Sequence, residues 1–274
     1  MVAASVRAMS TPSSGPDVTS GGEPLRPLAL WQFGVVVVVY LAIIQLGGLV
    51  LSRVGDHDDD LTTVEGVLWS MWLPLGVALV FTYAVVAALG WWRPVLRDDR
   101  PVRRWLWVVP VVFLLCSLVA VDYGALSEKS VGFVLALFLA TQLVGWGEEG
   151  MFRGIGVTAL RVHGLTEGKV ALWSSVVFGA VHLTNAIGHG AQAIPQALAV
   201  SFAGYFFYLT RRVSGGNVVN SVLHGLFDFS LLTGTAILVD QETYLGSLAA
   251  VAAYLVVGLV VLVGRRRIEP VPAT

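Results

Sequence analysis

The sequence predicts an all-α, polytopic membrane protein: a bundle of about eight transmembrane helices with the N- and C-termini cytoplasmic. Of the 274 residues, 56% are hydrophobic and only 13% are charged, whereas a soluble domain carries about 25% charged residues. No charged residue lies between Arg26 and Arg53, a stretch long enough to cross a bilayer. This composition excludes a disordered chain and a soluble globular domain.

The charge balance and the cysteine count exclude further classes of protein. A net charge of −1 provides no field that would attract a polyanion, so no nucleic-acid partner is expected. The single cysteine, Cys116, excludes a disulfide framework and a thiolate metal cluster. Membrane lipids remain as the expected surroundings.

Eight apolar segments are long enough to cross the hydrocarbon core, which takes about 20 residues of helix. They cover residues 29–52, 64–90, 105–121, 131–158, 170–186, 191–210, 217–238 and 245–264. Residues 1–27 are rich in Ser, Pro, Gly and Thr, which predicts a disordered tail. We interpret the first segment as a retained span rather than a cleaved signal.

The distribution of basic residues predicts the orientation of the bundle. If the N-terminus is inside, every Lys and Arg except Arg53 and Lys129 falls on the inner side, where such residues are retained. One miscounted span would exchange every later loop and destroy this asymmetry. We therefore expect an integral, multi-pass protein of the plasma membrane.

Ionisable residues within predicted spans are costly and become functional candidates by default. They form three groups, on the fourth, fifth and seventh predicted helices. The groups are Glu148, Glu149 and Arg153; Phe178 and His182; and His224 and Asp228.

Helical spacing predicts different roles for the two glutamates. Neighbouring residues on a helix differ in direction by about 100°, so Glu148 and Glu149 are not expected to point at one site. Glu149 lies four residues before Arg153, the favourable order for an ion pair. Glu148 has no such partner on its helix and is therefore the carboxylate left free for chemistry.

A free carboxylate and two imidazoles in one membrane pocket are suited to activating water. Glutamate can take a proton from water, and histidine can hold the water, bind a metal or donate to an oxyanion. A structural interpretation stays open, because His182 alone, or His224 with Asp228, could simply link helices.

Together the three groups resemble the motifs of the CAAX protease and bacteriocin-processing family, also called the Abi family. That pattern is E-E-x-x-x-R, then F-x-x-x-H, then H-x-x-x-N or D, and here it ends in Asp228. The resemblance implies an intramembrane endopeptidase related to type II CAAX prenyl proteases, acting on a peptide near the cytoplasmic face. It implies a core domain over 105–238, after two helices and a basic inner loop at 28–104. The last helix (239–264) and a basic tail (265–274) follow.

The resemblance also implies roles for the candidate residues. Glu148 would activate water, His182 would position it, and Glu149, Arg153 and Phe178 would give support. His224 and Asp228 would be oxyanion donors or polar ligands, although Asp donates a hydrogen bond only when protonated. A carboxylate that orients His224 or binds a cation suits Asp228 better.

No cofactor is required by the sequence, although the chemistry of the donors leaves a metal open. Zinc or another divalent ion could be held by a set of four residues, namely Glu148, His182, His224 and Asp228. The H-E-x-x-H helix of the zincins is absent. Metal-free catalysis by glutamate fits the spacing equally, and we favour it.

Two functions from other classes compete with proteolysis. The same bundle could be a non-catalytic scaffold or a bacteriocin-immunity protein that binds a peptide in the pocket. A proton-coupled transporter could use Glu148 and Asp228 as relay carboxylates, but no repeated halves are visible in the sequence. The substrate and the oligomeric state do not follow from the sequence.

Overall fold

The computed structural model describes residues 19–20, 23–51, 61–100, 102–185, 193–235 and 244–269. These residues contain eight long helices, each overlapping one predicted span. The helices are α1 (Leu30–Leu51), α2 (Val64–Leu89), α3 (Arg104–Ala120), α4 (Val131–Val162), α5 (Glu167–Val181), α6 (Ala193–Ser214), α7 (Val218–Thr235) and α8 (Leu245–Val263). The α-helical winding is interrupted in α2 and α4 by the π-helical segments Leu68–Trp72 and Glu149–Gly156.

Short elements connect or flank these helices. They are the helices Trp92–Leu96, Tyr123–Ser127 and Arg265–Arg267, together with the 3₁₀ turn His182–Asn185 that continues α5. A minimal antiparallel pair joins β1 (Thr19–Ser20) to β2 (Glu23–Pro24). The remainder of the predicted tail over 1–27 lies mostly outside the described residues, as do residues 270–274.

Local sequence signals explain several helix ends. Ser130 caps α4 by accepting a hydrogen bond from the Phe133 amide at 3.2 Å, and Thr63 caps α2 through Gly66 at 3.0 Å. Gly90 ends α2 with a φ of 70°, a left-handed conformation that glycine adopts without steric penalty.

The distribution of polar and apolar residues is that of an integral membrane protein. Within the described residues, α1, α2, α4 and α8 are long and apolar enough to cross a membrane, and α3 is a shorter apolar helix. Large apolar side chains such as Val38 and Val80 are exposed, whereas Glu149 and Arg153 are buried. α6 and α7 are less apolar because they carry buried polar side chains.

Helix pairing places α4 and α7 side by side in the centre of the bundle. α7 packs along α3 and α4, α5 packs along α6, and α1 and α2 pack together, with α2 also against α4. α4 and α7 approach most closely at Gly145, where an added Cβ would overlap the Ser221 carbonyl oxygen and the Gly225 amide. This backbone contact fixes the relative position of the polar residues on the two helices.

A buried network of ion pairs joins several helix ends at one end of the bundle. Asp98 binds Arg161 at 2.8 Å and Arg211 at 3.1 Å. Glu167 binds Arg161 at 2.8 Å and Arg212 at 2.6 Å. Burial by itself would raise the pKa of Glu167, which precedes the predicted span 170–186, but the hydrogen bonds and charge of Arg161, with the charge of Arg212, lower that pKa to about 2.

Candidate active site

Three consecutive i, i+4 positions on α7 carry the polar side chains that face α4. They are Asn220, His224 and Asp228, and their spacing places them on one side of the helix. Asn220 and His224 are buried, whereas the side chain of Asp228 is 27% exposed. The Nε2 atom of His224 lies 3.4 Å from Oδ2 of Asp228.

Both glutamates of α4 approach the same imidazole, which differs from the expectation that they serve separate sites. Oε1 of Glu149 lies 2.8 Å from Nδ1 of His224, and Oε2 of Glu148 lies 3.7 Å from Nε2. Two side chains that diverge from neighbouring helix positions cannot reach the same atom, but they can reach different atoms of one ring. The His224 imidazole has two nitrogens, and each glutamate approaches one of them. The π-helical winding that starts at Glu149 also changes the angle between residues.

Glu149 is the centre of a buried polar cluster. Its Oε1 atom lies 3.2 Å from Nη1 of Arg153, and both side chains are fully buried. Its Oε2 atom accepts a hydrogen bond from the Asn220 amide. The carboxylate is thus matched by one cation and two further polar groups, which offsets the cost of burying its charge.

Aromatic rings hold the Arg153 guanidinium on its other side. Its Cζ atom lies 3.9 Å from the ring centroid of Phe178 and 5.3 Å from that of Phe207, distances at which cation–π attraction operates. Gly204 of α6 makes room for this group, since a Cβ at that position would lie 2.8 Å from Nη2 of Arg153.

Glu148 has fewer partners than Glu149. Its Oε2 atom is buried and makes no hydrogen bond to any part of the chain that the structure describes. The side chain as a whole is 16% exposed. Burying an acceptor without a partner is costly, so this atom is available to a water molecule or a substrate group.

His182 lies at the end of α5, beside this cluster. Its Nδ1 atom is 2.8 Å from the Phe178 carbonyl oxygen, to which it would donate, leaving Nε2 as the acceptor in the neutral ring. The Phe178 ring separates the two imidazoles, with centroids 4.9 Å from His182 and 5.9 Å from His224. His182 also interacts electrostatically with His224 and Asp228.

Sequence reasoning missed residues that shape the site. Asn220 was not among the candidate residues, although its four-residue spacing from His224 was a usable signal. Phe207 stacks on His224 with ring centroids 4.3 Å apart and planes 17° apart, and no spacing rule indicated this. Tyr40 of α1 is buried and interacts electrostatically with Glu148 and Glu149, so α1 also reaches the site.

Three of the four candidate metal ligands contact one another around His224. One nitrogen of His224 faces Glu149 and the other lies between the carboxylates of Glu148 and Asp228. Across the described ranges, no three His, Cys, Asp or Glu side chains are grouped so that they could hold a metal. The four-residue ligand set considered from the sequence therefore does not form a coordination shell as placed.

Comparison with known proteins agrees with the motif resemblance over the part of the chain that contains the site. Residues 130–230 match the family model of the type II CAAX prenyl endopeptidase Rce1-like proteins. This segment runs from the start of α4 to within α7 and includes all seven candidate residues. The predicted resemblance is confirmed over that segment. No curated protein and no solved structure gives a significant match.

Proposed function

Because residues 130–230 match the Rce1-like family model, we propose that this protein is an intramembrane endopeptidase that hydrolyses a peptide bond near the cytoplasmic face. The observation that carries the proposal is the environment of Glu148. Its carboxylate has a buried oxygen without a hydrogen-bond partner among the described residues, 3.7 Å from an imidazole nitrogen. A carboxylate in this setting is suited to bind and deprotonate water.

In the proposed mechanism Glu148 is the general base. It takes a proton from water while the oxygen attacks the peptide carbonyl carbon, which gives a tetrahedral intermediate. The carbon–nitrogen bond then breaks, and the leaving amine receives the proton held by Glu148. His182, whose Nδ1 is directed at the Phe178 carbonyl oxygen, would use Nε2 to hold the attacking water.

His224 would stabilise the oxyanion from Nε2 as an imidazolium, with a proton on each ring nitrogen. Glu149 accepts from Nδ1 at 2.8 Å and thereby fixes the plane of the ring, as carboxylate partners of catalytic histidines do. Asp228 lies 3.4 Å from Nε2 and, as a carboxylate, would orient the ring rather than donate to the oxyanion.

The glutamate mechanism needs a direct test of activity. Purified full-length protein in detergent would be assayed with a peptide library, comparing the unmodified chain with Glu148→Gln. We expect turnover to fall at least about 100-fold, the lower end for loss of a general base, while the thermal unfolding temperature changes little. Glu128→Gln, an exposed glutamate distant in sequence from the candidate site, is the matched control.

Either of two results would contradict the proposal. Undiminished turnover in Glu148→Gln would remove Glu148 from the chemistry. Peptide binding without any cleavage by the unmodified chain would favour the non-catalytic scaffold instead.

We also propose that the mechanism requires no metal. The support is that Nδ1 of His224 is taken by Glu149 and that no three ligand side chains are grouped as a metal site among the described residues. Turnover should be unchanged after dialysis against a strong chelator of divalent ions. A loss of turnover that one metal ion restores would overturn this part of the proposal.

The proposed topology has eight membrane crossings with both chain ends in the cytoplasm of the cell. It is supported by the ion-pair network that joins Asp98, Arg161, Glu167 and Arg211, all from segments predicted to lie inside. In a Cys116→Ala background, cysteines introduced at Glu128 and Arg267 would be tested with an impermeant thiol reagent in intact cells. Labelling at 128 and protection at 267 are expected, and the reverse pattern would invert the topology.

A further inference from the structure

A cavity that does not include Glu148 opens at the end of the bundle that carries the ion-pair network. It lies between α5, α6 and α8 and has a volume of about 890 Å³. Its walls include the apolar side chains of Leu172, Val176, Phe202 and Leu262. None of the proposed catalytic residues lines it, so the proposed hydrolysis leaves it without a role.

The rim of this cavity carries two arginines that are not neutralised. Glu167 and Glu269, which also line the rim, both bind Arg212, at 2.6 and 3.1 Å. Arg265 and Arg266 are exposed, and neither forms an ion pair with a carboxylate in the described part of the chain. The rim therefore offers two arginines without an ion-pair partner among the described residues, and its charged side chains sum to +1.

A hydrogen-bond donor lies beside these charges. Tyr205 lines the same cavity and interacts electrostatically with Arg265. Arginine and tyrosine hydroxyl groups together are common donors to phosphate oxygens. The cavity thus combines an anion-binding rim with an apolar interior.

We propose that this cavity binds an anionic glycerophospholipid of the surrounding membrane. The phosphate would lie against Arg265 and Arg266, and one acyl chain would lie along Val176 and Phe202. An amphiphile fits because the charged rim follows directly on the C-terminal end of α8, where lipid headgroups lie, and the apolar walls continue toward the hydrocarbon core. The inference requires the membrane location of the chain and does not depend on its peptidase activity.

The test measures lipid bound to the full-length protein in mixed micelles by native mass spectrometry. Phosphatidylglycerol and phosphatidylcholine with identical acyl chains would be titrated in parallel. The unmodified chain should prefer phosphatidylglycerol by about tenfold or more, because two arginines near an anionic headgroup are attracted more strongly than near the zwitterionic headgroup of phosphatidylcholine. The double variant Arg265→Gln/Arg266→Gln should lose that preference.

Two further variants test whether lipid binding depends on the overall surface charge and on the shape of the cavity. Arg97→Gln/Arg104→Gln removes two exposed charges that do not line the cavity and should keep the preference. Val176→Trp fills the apolar wall without changing charge and should lower the binding of both lipids. Thermal unfolding of each variant establishes that it is folded.

Several outcomes would overturn the proposal. Equal binding of the two lipids by the unmodified chain would indicate an unspecific annular lipid. Equal loss in both double-arginine variants would indicate a general surface charge effect. Full competition by glycerol 3-phosphate would indicate a site for a soluble phosphate, and a dimer that forms in place of lipid binding would indicate a second copy as the occupant.

Discussion

Glu148 and Glu149 are adjacent in the chain, yet their carboxylates lie on opposite nitrogens of one ring, that of His224, at 3.7 and 2.8 Å. The two carboxylates differ in what else they touch. Glu149 also contacts Arg153 and Asn220, whereas the buried Oε2 of Glu148 has no further hydrogen-bond partner among the described residues. Glu149 is therefore held by its neighbours in a structural role, whereas Glu148 is available for a reaction.

Removing the charge of Glu149 should destabilise the fold. In Glu149→Gln the guanidinium of Arg153 stays fully buried without its counter-charge, which should lower the free energy of unfolding by about 3 to 5 kcal/mol. Unfolding in detergent by denaturant measures this change. Glu148→Gln is the matched control and should change the free energy of unfolding by less than about 1 kcal/mol. Equal effects of the two substitutions would contradict the division of roles.

Asn220 should influence turnover without touching substrate. Asn220→Ala removes the amide that holds Oε2 of Glu149, so Glu149 can tilt and His224 loses its fixed orientation. We expect kcat to fall about tenfold, equivalent to a lost hydrogen bond of about 1.4 kcal/mol, with KM little changed. Asn217→Ala is the control, because that side chain contacts Asn220 at 3.4 Å rather than Glu149. An increase in KM alone would instead indicate substrate contact.

α4 and α7 lie too close together at Gly145 to accommodate an added methyl group. Gly145→Ala would place a Cβ against the Ser221 carbonyl oxygen and the Gly225 amide, so the helices must separate. Overpacking of this kind costs about 1 to 3 kcal/mol, and peptidase activity should fall because His224 moves away from Glu149. Gly76→Ala, in α2 with no atom within 4 Å of the new Cβ, should be neutral or slightly stabilising. An unchanged unfolding temperature for Gly145→Ala would show that the contact between α4 and α7 can accommodate the methyl group.

Acid should weaken the ion-pair network through Glu167. The pKa of this carboxyl is lowered from its ordinary 4.5 to about 2, so its contribution is complete above about pH 4.5 and disappears as the pH falls toward 2. The shift corresponds to about 3 kcal/mol. Unfolding temperatures of the unmodified chain and Glu167→Gln should differ at pH 7 and converge at low pH. Glu128→Gln, which alters an exposed carboxylate, should follow the unmodified chain throughout.

Much of the helix pattern was predictable because it depends on apolar runs. Each predicted span overlaps one long helix, and the four-residue spacing of Glu149 and Arg153 corresponds to the ion pair in the structure. The predicted sixth span ended at 210, before two arginines interpreted as part of a loop. α6 continues to Ser214 because Arg211 and Arg212 are buried and paired with Asp98 and Glu167.

The contacts between helices were not predictable in the same way. A single sequence indicates which residues share a helix face, but not which neighbouring helix that face meets. The hydrogen bond from Asn220 to Glu149 and the stacking of Phe207 on His224 both cross between helices. The π-helical winding after Glu148 was equally hidden, since no pattern in the residues distinguished it from ordinary α-helix.

The π-helical segment of α4 changes the direction in which successive side chains point, relative to a regular α-helix. Before it, Gly145 faces α7; within it, Arg153 is turned toward the rings supplied by α5 and α6. A helical wheel drawn through the whole of α4 would therefore assign the second half to the wrong side. Deleting a single glycine there, such as Gly150, would remove the extra residue that π-helical winding accommodates, so α4 could return to regular α-winding at about 100° per residue with the residues after Gly156 still facing their present neighbours.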